Sequence, residues 1–443
     1  MGIFNNEIIV DYDNPFKNDI LQRENEAKTL TELFDAIGNQ MVLAINSPWG
    51  TGKSSFLKMW NQYLINEGYK TIFFNSWEND FIDEPFIAFI NEIRECLDLN
   101  ENDNIIKSAK HIWESIITQS PRVICKVIKN KTGIDAEDIV STDYLSDLIG
   151  EKINSYKADK DSISNFRDEL KQIAQNNYDV SKKPLVIFVD ELDRCRPDYA
   201  IKLLERIKHI FNVDKIIFVL GIDKEALSNS VKIVYGEQTD TKGYLSRFID
   251  LEFKLETSSR ILYIRHLFNK YLGSQGNLGN KFKNCIEVLL EIFNLSYREM
   301  EKFIVELYIM VKLKKINNDD IYFIGILSII KRMNNNLYNR IKNKGIMYEE
   351  LEIELRKHLT STDKLNKKNG KWDYVKAYLL VILDDKYEFS KISNSIEEND
   401  KRCCKIYNRI LNEYLLSDAK EFEEILIGIY NDIEMHKYSF EFS

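Results

Sequence analysis

At 443 residues the chain is long enough for two or three domains, and its hydrophobic content of 44% is ordinary for globular proteins with buried cores. Seventy acidic residues against 61 basic ones give a formal charge of -9, so nothing in the total points to a polyanion binder, although local basic patches stay open. The six cysteines form no CxxC pair, and none of the five histidines falls at zinc-finger spacing, which argues against a disulfide framework and for a reduced, cytoplasmic setting.

The N-terminus lacks a basic region followed by an apolar run, so no signal peptide is expected. No apolar run approaches the roughly 18 residues that a membrane helix needs, so no membrane span is expected.

Residues 19–38 place Leu30, Leu33, Phe34 and Ile37 at helical spacing and stop at Gly38, which predicts a helix. Met41-Val42-Leu43-Ala44-Ile45 is short and wholly apolar, the pattern of a buried strand. A second helix is expected from near Lys53 through Leu57, Trp60 and Leu64. Thr71-Ile72-Phe73-Phe74 reads as the next strand, turned by Asn75-Ser76-Trp77-Glu78 into a helix holding Phe86, Phe89 and Ile93. Trp77, following a buried strand, is expected in the core.

Residues 97–181 are polar and helical in pattern. Strand signals return at Leu185–Val189, Ile216–Leu220 and Phe248–Phe253, with a helix between each pair. Strand–helix alternation of this kind implies a parallel sheet in an α/β fold. After about residue 257 the strand signals end, and amphipathic helices run to the end of the chain. The expected division is therefore a core of 1–96 and 182–256, a helical insertion of 97–181, and an all-α region of 257–443.

Between the first strand and the second helix lies Ser47-Pro48-Trp49-Gly50-Thr51-Gly52-Lys53-Ser54-Ser55, a Walker A phosphate-binding loop in its proper strand–loop–helix setting. Glycines at 50 and 52 let backbone N–H groups wrap phosphate oxygens, and the helix start adds its positive dipole. Lys53 reaches the β and γ phosphates, and Ser54 ligates magnesium. Ser47 replaces the first glycine of the pattern, which leaves a chance Gly-Lys-Ser junction as the competing reading.

The strand Val186–Val189 ends in Asp190 and Glu191. This is a Walker B arrangement, in which Asp190 holds the magnesium through water and Glu191 acts as the general base; the blander alternative is that both acids cap the next helix.

The segments Pro48–Ser55, Phe74-Asn75-Ser76-Trp77-Glu78 and Val189-Asp190-Glu191-Leu192-Asp193-Arg194-Cys195-Arg196-Pro197 together resemble the KAP family of P-loop NTPases. Gly221-Ile222-Asp223-Lys224 and Tyr244–Ile249 extend the resemblance over roughly residues 10–310. It implies a P-loop NTPase sheet with an extra strand between the Walker A and Walker B strands, and with strand 1 between strands 4 and 5. A helical lid within 257–443, ATP with Mg2+ as cofactors and a nucleotide-driven switch or motor are further implications.

A homo-oligomer and a protein effector partner are expected with it. Many members insert transmembrane helices between the two Walker motifs, but here Ile112–Ile128 is broken by Glu114, Arg122 and Lys126. Several bacterial members resemble components of anti-phage defence loci.

Three further residues are candidates by position. Asp223 ends the strand after Walker B, as a γ-phosphate sensor or as a helix cap. Arg247 precedes the last strand, where related ring ATPases project an arginine finger into a neighbour, or where it is a solvated side chain. Arg298, in Leu295-Ser296-Tyr297-Arg298-Glu299, resembles a second sensor arginine or is a surface residue. Arg194 and Arg196 are expected to pair with Asp193 and Asp198.

Two other functions stay open. One is a slowly hydrolysing nucleotide-binding scaffold, kept alive by Ser47. The other is nucleic-acid engagement through Lys331, Arg332, Arg340, Lys342, Lys344, Lys364, Lys367, Lys368 and Lys371 interleaved with Tyr338 and Trp372, although such runs are usually solvated faces.

Overall fold

The computed structural model describes residues 9–118, 142–255, 260–272, 280–314, 320–359 and 371–383, with short helical pieces at 405–407, 409–410, 425–430 and 433. Cys125, Cys403, Cys404 and the basic residues Lys364, Lys367 and Lys368 lie outside the described residues. The chain divides into two compact units, Met1–Thr257 and Ser258–Ser443.

The first unit is built on α1 (Glu24–Ile37), β1 (Met41–Asn46), α2 (Lys53–Asn66), β2 (Thr71–Asn75), α3 (Pro85–Cys96), α4 (Asn104–Thr118), α5 (Thr142–Ser181), β3 (Leu185–Asp190), α6 (Pro197–Arg206), β4 (Ile216–Ile222), α7 (Lys224–Tyr235), α8 (Thr241–Leu245) and β5 (Leu251–Lys254). The five strands form one parallel sheet in the order β2-β3-β4-β1-β5. Strand 1 lies between strands 4 and 5, and β2 is the extra strand between the Walker strands, at the sheet edge beside β3.

Side chains alternate across a strand, so each strand feeds two cores. Val42, Ala44, Ile187, Val189, Phe218 and Leu220 enter one, while Met41, Leu43, Ile45, Phe188, Ile217 and Val219 enter the other. Because both faces are covered, β1, β3 and β4 read in the sequence as unbroken apolar runs rather than alternating ones.

Trp60 of α2 anchors the second core, with its ring 5.2 Å from Phe34, 5.7 Å from Phe56 and 5.5 Å from Phe188. Its indole N–H donates 3.0 Å to the Thr31 hydroxyl, so the ring is buried with its polar atom satisfied. On the opposite face Phe211 lies 4.7 Å from Phe89 and 5.6 Å from Phe166. Phe166, Leu170 and Ala174 recur every four residues on α5 and are buried there, with Ile105, Ala109 and Ile112 of α4 in the same core.

Two expectations are corrected. The last strand is shorter than Phe248–Phe253, because the N–H groups of Phe248 and Ile249 both go to the Leu245 carbonyl and prolong α8 by a turn. Trp77 is 52% exposed instead of buried.

The second unit contains α9 (Arg260–Leu272), α10 (Asn280–Ile292), α11 (Tyr297–Lys314), α12 (Ile321–Met333), α13 (Asn335–Lys342), α14 (Tyr348–Arg356) and α15 (Lys371–Leu383). α12 is buried nearly all round, from Ile321 to Ile330. Arg260 donates to the carbonyls of Leu290 (2.8 Å), Phe293 (2.7 Å) and Leu295 (2.9 Å), closing the C-terminal end of α10. Among the described residues no helix is long and apolar enough to cross a membrane.

The level ends of β3 and β4 demand a glycine. A Cβ at Gly221 would stand 2.4 Å from Leu57 Cδ1 and 2.6 Å from Asp190 Oδ1. Gly221→Ala should therefore cost about 1–3 kcal/mol by overpacking. A lowered urea midpoint at unchanged slope is the expected result; a midpoint like that of the wild type would mean that these strand ends are loosely packed.

Candidate functional site

The ends of β1, β3 and β4 are level: Asp190 pairs with Gly221, and Gly221 with Ile45. The loop that leaves β1 and the acids that leave β3 therefore meet at one edge. Gly50 and Gly52 adopt φ of 76° and 83°, a region that side chains strain to enter, so both glycines are required by backbone shape.

Ser47 needs no such freedom and has no positive φ. Its N–H donates 3.1 Å to Ile222 O, and its hydroxyl lies 2.6 Å from Thr51 Oγ1, which itself donates 2.8 Å to Pro48 O. Serine at this position braces the loop from inside, so its departure from the glycine pattern leaves the loop's shape intact.

α2 begins at Lys53 with neither a side-chain cap nor an acid in its first turn. A helix start of this kind presents free N–H groups, and with the dipole behind them it receives anions. Lys53 donates 3.1 Å to Ser47 O, and its ammonium lies 3.7 Å from Asp193 Oδ2. Burial pulls Lys53 below the usual lysine range, against the attraction of Asp193, Asp190 and Asp223.

Asp190 is buried, hydrogen-bonds the Ser54 hydroxyl and accepts the Glu191 N–H at 2.9 Å. Burial pushes its carboxyl up to about 6, with the Ser54 hydrogen bond acting in the opposite direction. A hydroxyl and a buried carboxylate touching beside a phosphate loop are the hard oxygen donors that a magnesium ion takes, so Ser54 and Asp190 fit that ion.

Glu191 stands at φ 60°, ψ 24°, a left-handed conformation rare for glutamate, and begins a short 3-10 turn, Leu192–Arg194. Its carboxylate is held by Arg194 at 2.7 Å. Arg194 also lies over the exposed Trp77 ring, 5.7 Å from its centre. The expected pairing of Arg194 and Arg196 with Asp193 and Asp198 is therefore replaced. Asp193 faces Lys53 and receives the Trp49 indole N–H, while Arg196 pairs with Asp83 at 3.0 Å and donates 2.6 Å to Asp80 O.

The remaining candidates are placed as follows. Asp223 caps α7, accepting from Glu225 N at 3.1 Å and Ala226 N at 3.3 Å, and its charge is felt at Lys53. Arg247 is exposed on a cavity of about 790 Å³ shared with Glu205, Lys208, Tyr235 and Tyr244, whose lining includes no residue of Ser47–Ser55. Arg298 is exposed in the second unit, in the first turn of α11. Pro48 and Trp49 form the exposed lip of the loop, and Ser55 follows Ser54 in the first turn of α2.

Among the described residues of the second unit's basic run, Lys331 lies 5.5 Å from the centre of the Tyr338 ring, and the two aromatic rings are not displayed on the surface. Tyr338 and Trp372 are buried, Arg340 pairs with Glu350 at 2.8 Å, and Arg332 pairs with Glu306.

Sequence reasoning missed Arg23. It is buried and donates 3.0 Å to Thr51 O, propping the phosphate loop from beneath. It also missed Asn46 at the end of β1, which donates 2.8 Å to Glu252 and accepts 3.0 Å from Lys224 N. A lone polar residue closing an apolar strand was the available signal for Asn46; no local pattern marks Arg23.

The sheet order, the braced glycine loop, Lys53 and the Asp190–Glu191 strand end define a P-loop NTPase. The chain belongs to the KAP family: the family's model, described as the KAP family P-loop domain, matches residues 23–314.

A segment of 74 residues, 15% of this chain, is 31% identical to an uncharacterized protein of Methanocaldococcus jannaschii and spans 38% of that protein's length. Among solved structures, the Aeropyrum pernix ORC2 protein aligns over 99% of this chain and 98% of its own at 14% identity, with a TM-score of 0.34. A mutant RuvB of Thermotoga maritima aligns over 81% and 97% at 12% identity, with a TM-score of 0.29. Likenesses at these scores transfer nothing from those proteins to this one.

Cys195, behind the Walker B acids, donates weakly to Glu191 O at 3.6 Å, and burial pushes its thiol well up. It is a packing residue with no nucleophilic character. Alkylation of the native protein at neutral pH, mapped by mass, should modify exposed Cys96 ahead of Cys195 and Cys285; equal labelling of Cys195 would contradict its burial.

Proposed function

We propose that this chain is a Mg2+-dependent ATPase that works as a nucleotide-driven switch or oligomeric motor. The observation that carries the reading is the meeting of Lys53, Ser54, Asp190 and Glu191 at the carboxyl edge of one parallel sheet, where ligands of open α/β sheets bind. In this reading the α2 N–H groups and Lys53 bind the β and γ phosphates, Ser54 and Asp190 hold the metal, and Glu191 orients and deprotonates the attacking water. A magnesium ion held there would neutralise charge on the two terminal phosphates. Adenine as the base follows from the family resemblance.

Phosphate release by the purified protein tests this directly. Lys53→Ala should abolish nucleotide binding, and Glu191→Gln should bind ATP and hold it, with turnover reduced about 10²-fold or more. Hydrolysis by Glu191→Gln at the wild-type rate would remove Glu191 as the base.

The alternative of a slowly hydrolysing scaffold is favoured by one contact, the Arg194 ion pair on Glu191. The expected cytoplasmic setting rests on the cysteine pattern, and the protein effector and anti-phage role rest on the family resemblance. A phage challenge of cells carrying the wild type or Lys53→Ala tests the last of these.

Arg247 is the group proposed to complete a neighbour's site. It is exposed, and among the described residues it makes no ion pair. Arginine fingers contribute about 10³-fold or more to turnover. Arg247→Ala and Lys53→Ala chains, each inactive alone, should therefore regain hydrolysis when mixed, because one supplies an intact site and the other an intact arginine. A mixture no more active than its parts would show that Arg247 does not act in trans.

A further inference from the structure

Two residues that no part of the proposed chemistry uses, Asp193 and Arg194, are adjacent in one 3-10 turn and hold the two groups on which the chemistry depends. Asp193 faces the Lys53 ammonium at 3.7 Å, with side-chain exposures of 1% for the aspartate and 8% for the lysine. Arg194 holds Glu191 Oε1 at 2.7 Å. We propose that the turn Leu192–Arg194 is a double latch, in which Asp193 competes with phosphate for Lys53 and Arg194 restrains Glu191, so that phosphate capture by Lys53 releases the base. The inference rests on the ATPase reading above.

The coupling follows from charge and burial. Asp193 Oδ2 receives the Trp49 indole and faces Lys53, while Oδ1 is buried and accepts no hydrogen bond among the described residues. A carboxylate so placed has Lys53 as its nearest cation. When the ammonium swings to a phosphate, Asp193 is left buried without its countercharge, an arrangement that folded chains avoid by moving.

The turn is three residues long, so Asp193 cannot shift far without carrying Arg194 along. Arg194 is prepared to move. It is 30% exposed, and its other neighbour is the face of Trp77, which stands in solvent at the end of β2 rather than in the core. A guanidinium slides across a ring at little cost, whereas its ion pair with Glu191 is directional. While that pair stands, Glu191 Oε1 is engaged and the carboxylate is held in the orientation that the guanidinium sets.

The prediction separates binding from turnover. Asp193→Asn, which weakens the hold on Lys53, should tighten ATP binding severalfold. Because Arg194 must leave Glu191 in every cycle after ATP is bound, Arg194→Gln should leave ATP affinity unchanged and raise turnover at saturating ATP by about tenfold, the factor for one charge-assisted hydrogen bond. Arg194→Lys, which keeps a cation within reach of Glu191, should return turnover towards the wild-type rate. ATP should also change the fluorescence of Trp77 as Arg194 leaves it, read in a Trp49→Phe background and absent when Trp77→Phe is added.

A loss of turnover in Arg194→Gln would overturn the latch and make Arg194 an aid to the base. Unchanged turnover together with a silent Trp77 would overturn it as well. If the wild type binds ATP without hydrolysing it, the ATPase reading fails on its own, and the Asp193→Asn affinity and the Trp77 signal still decide the latch.

Discussion

The register of β1 against β4, and of β4 against β3, is the constraint from which the site follows. Pairing Gly221 with both Ile45 and Asp190 brings three strand ends level. A shift by one residue would move every side chain of the strand from one core into the other, so the fit of the two buried cores holds the register in place. Gly221 then makes the close approach possible, because any larger residue would meet Leu57 and Asp190. The meeting of the phosphate loop with the acids is thus a consequence of hydrophobic packing some distance beneath it.

Charge balance is the second layer. Lys53 is buried among Asp193, Asp190 and Asp223, and burial still outweighs their attraction. Arg23 adds a second buried cation, which donates to the Thr51 carbonyl and whose charge is felt by Asp19. The site is therefore preorganised for negative charge by backbone N–H groups and by a lysine whose present partners hold it loosely. Asp190 is pushed up to about 6 by burial even with the charge of Lys53 nearby, so a cation beside Ser54 would add a second countercharge to it.

The core strands and the phosphate loop are legible in the sequence because each is local. Apolar runs end in Asn46, Asp190 and Ile222-Asp223, and glycines mark the turns. Legibility fails where a residue's role is fixed by something far along the chain. Asp193 is tied to Trp49 across 144 positions, and Arg23 to Thr51 across 28. No periodicity reports such contacts.

Phe248-Ile249 misleads for a different reason. The two residues are strand-forming in type, but their N–H groups are taken by the Leu245 carbonyl before the sheet can claim them. Trp77 misleads because tryptophan is usually buried, yet the Asn75 side chain takes the Trp77 N–H at 3.1 Å and turns the ring outward under Arg194.

The second unit sharpens what an exposed arginine means. α11 opens with a reciprocal cap: Ser296 N–H donates 2.7 Å to Glu299, and Glu299 N–H donates 3.3 Å to the Ser296 hydroxyl. The helix start is already satisfied, and a cation in its first turn faces the positive end of the helix dipole. Arg298 sits there, exposed, with no ion pair among the described residues. Folding of α11 gains nothing from that charge. Arg260 shows the contrast, since its guanidinium closes the end of α10 by donating to three carbonyls. Arg23 and Arg260 are engaged by the backbone carbonyls that they prop or close, whereas Arg247 and Arg298 stand exposed.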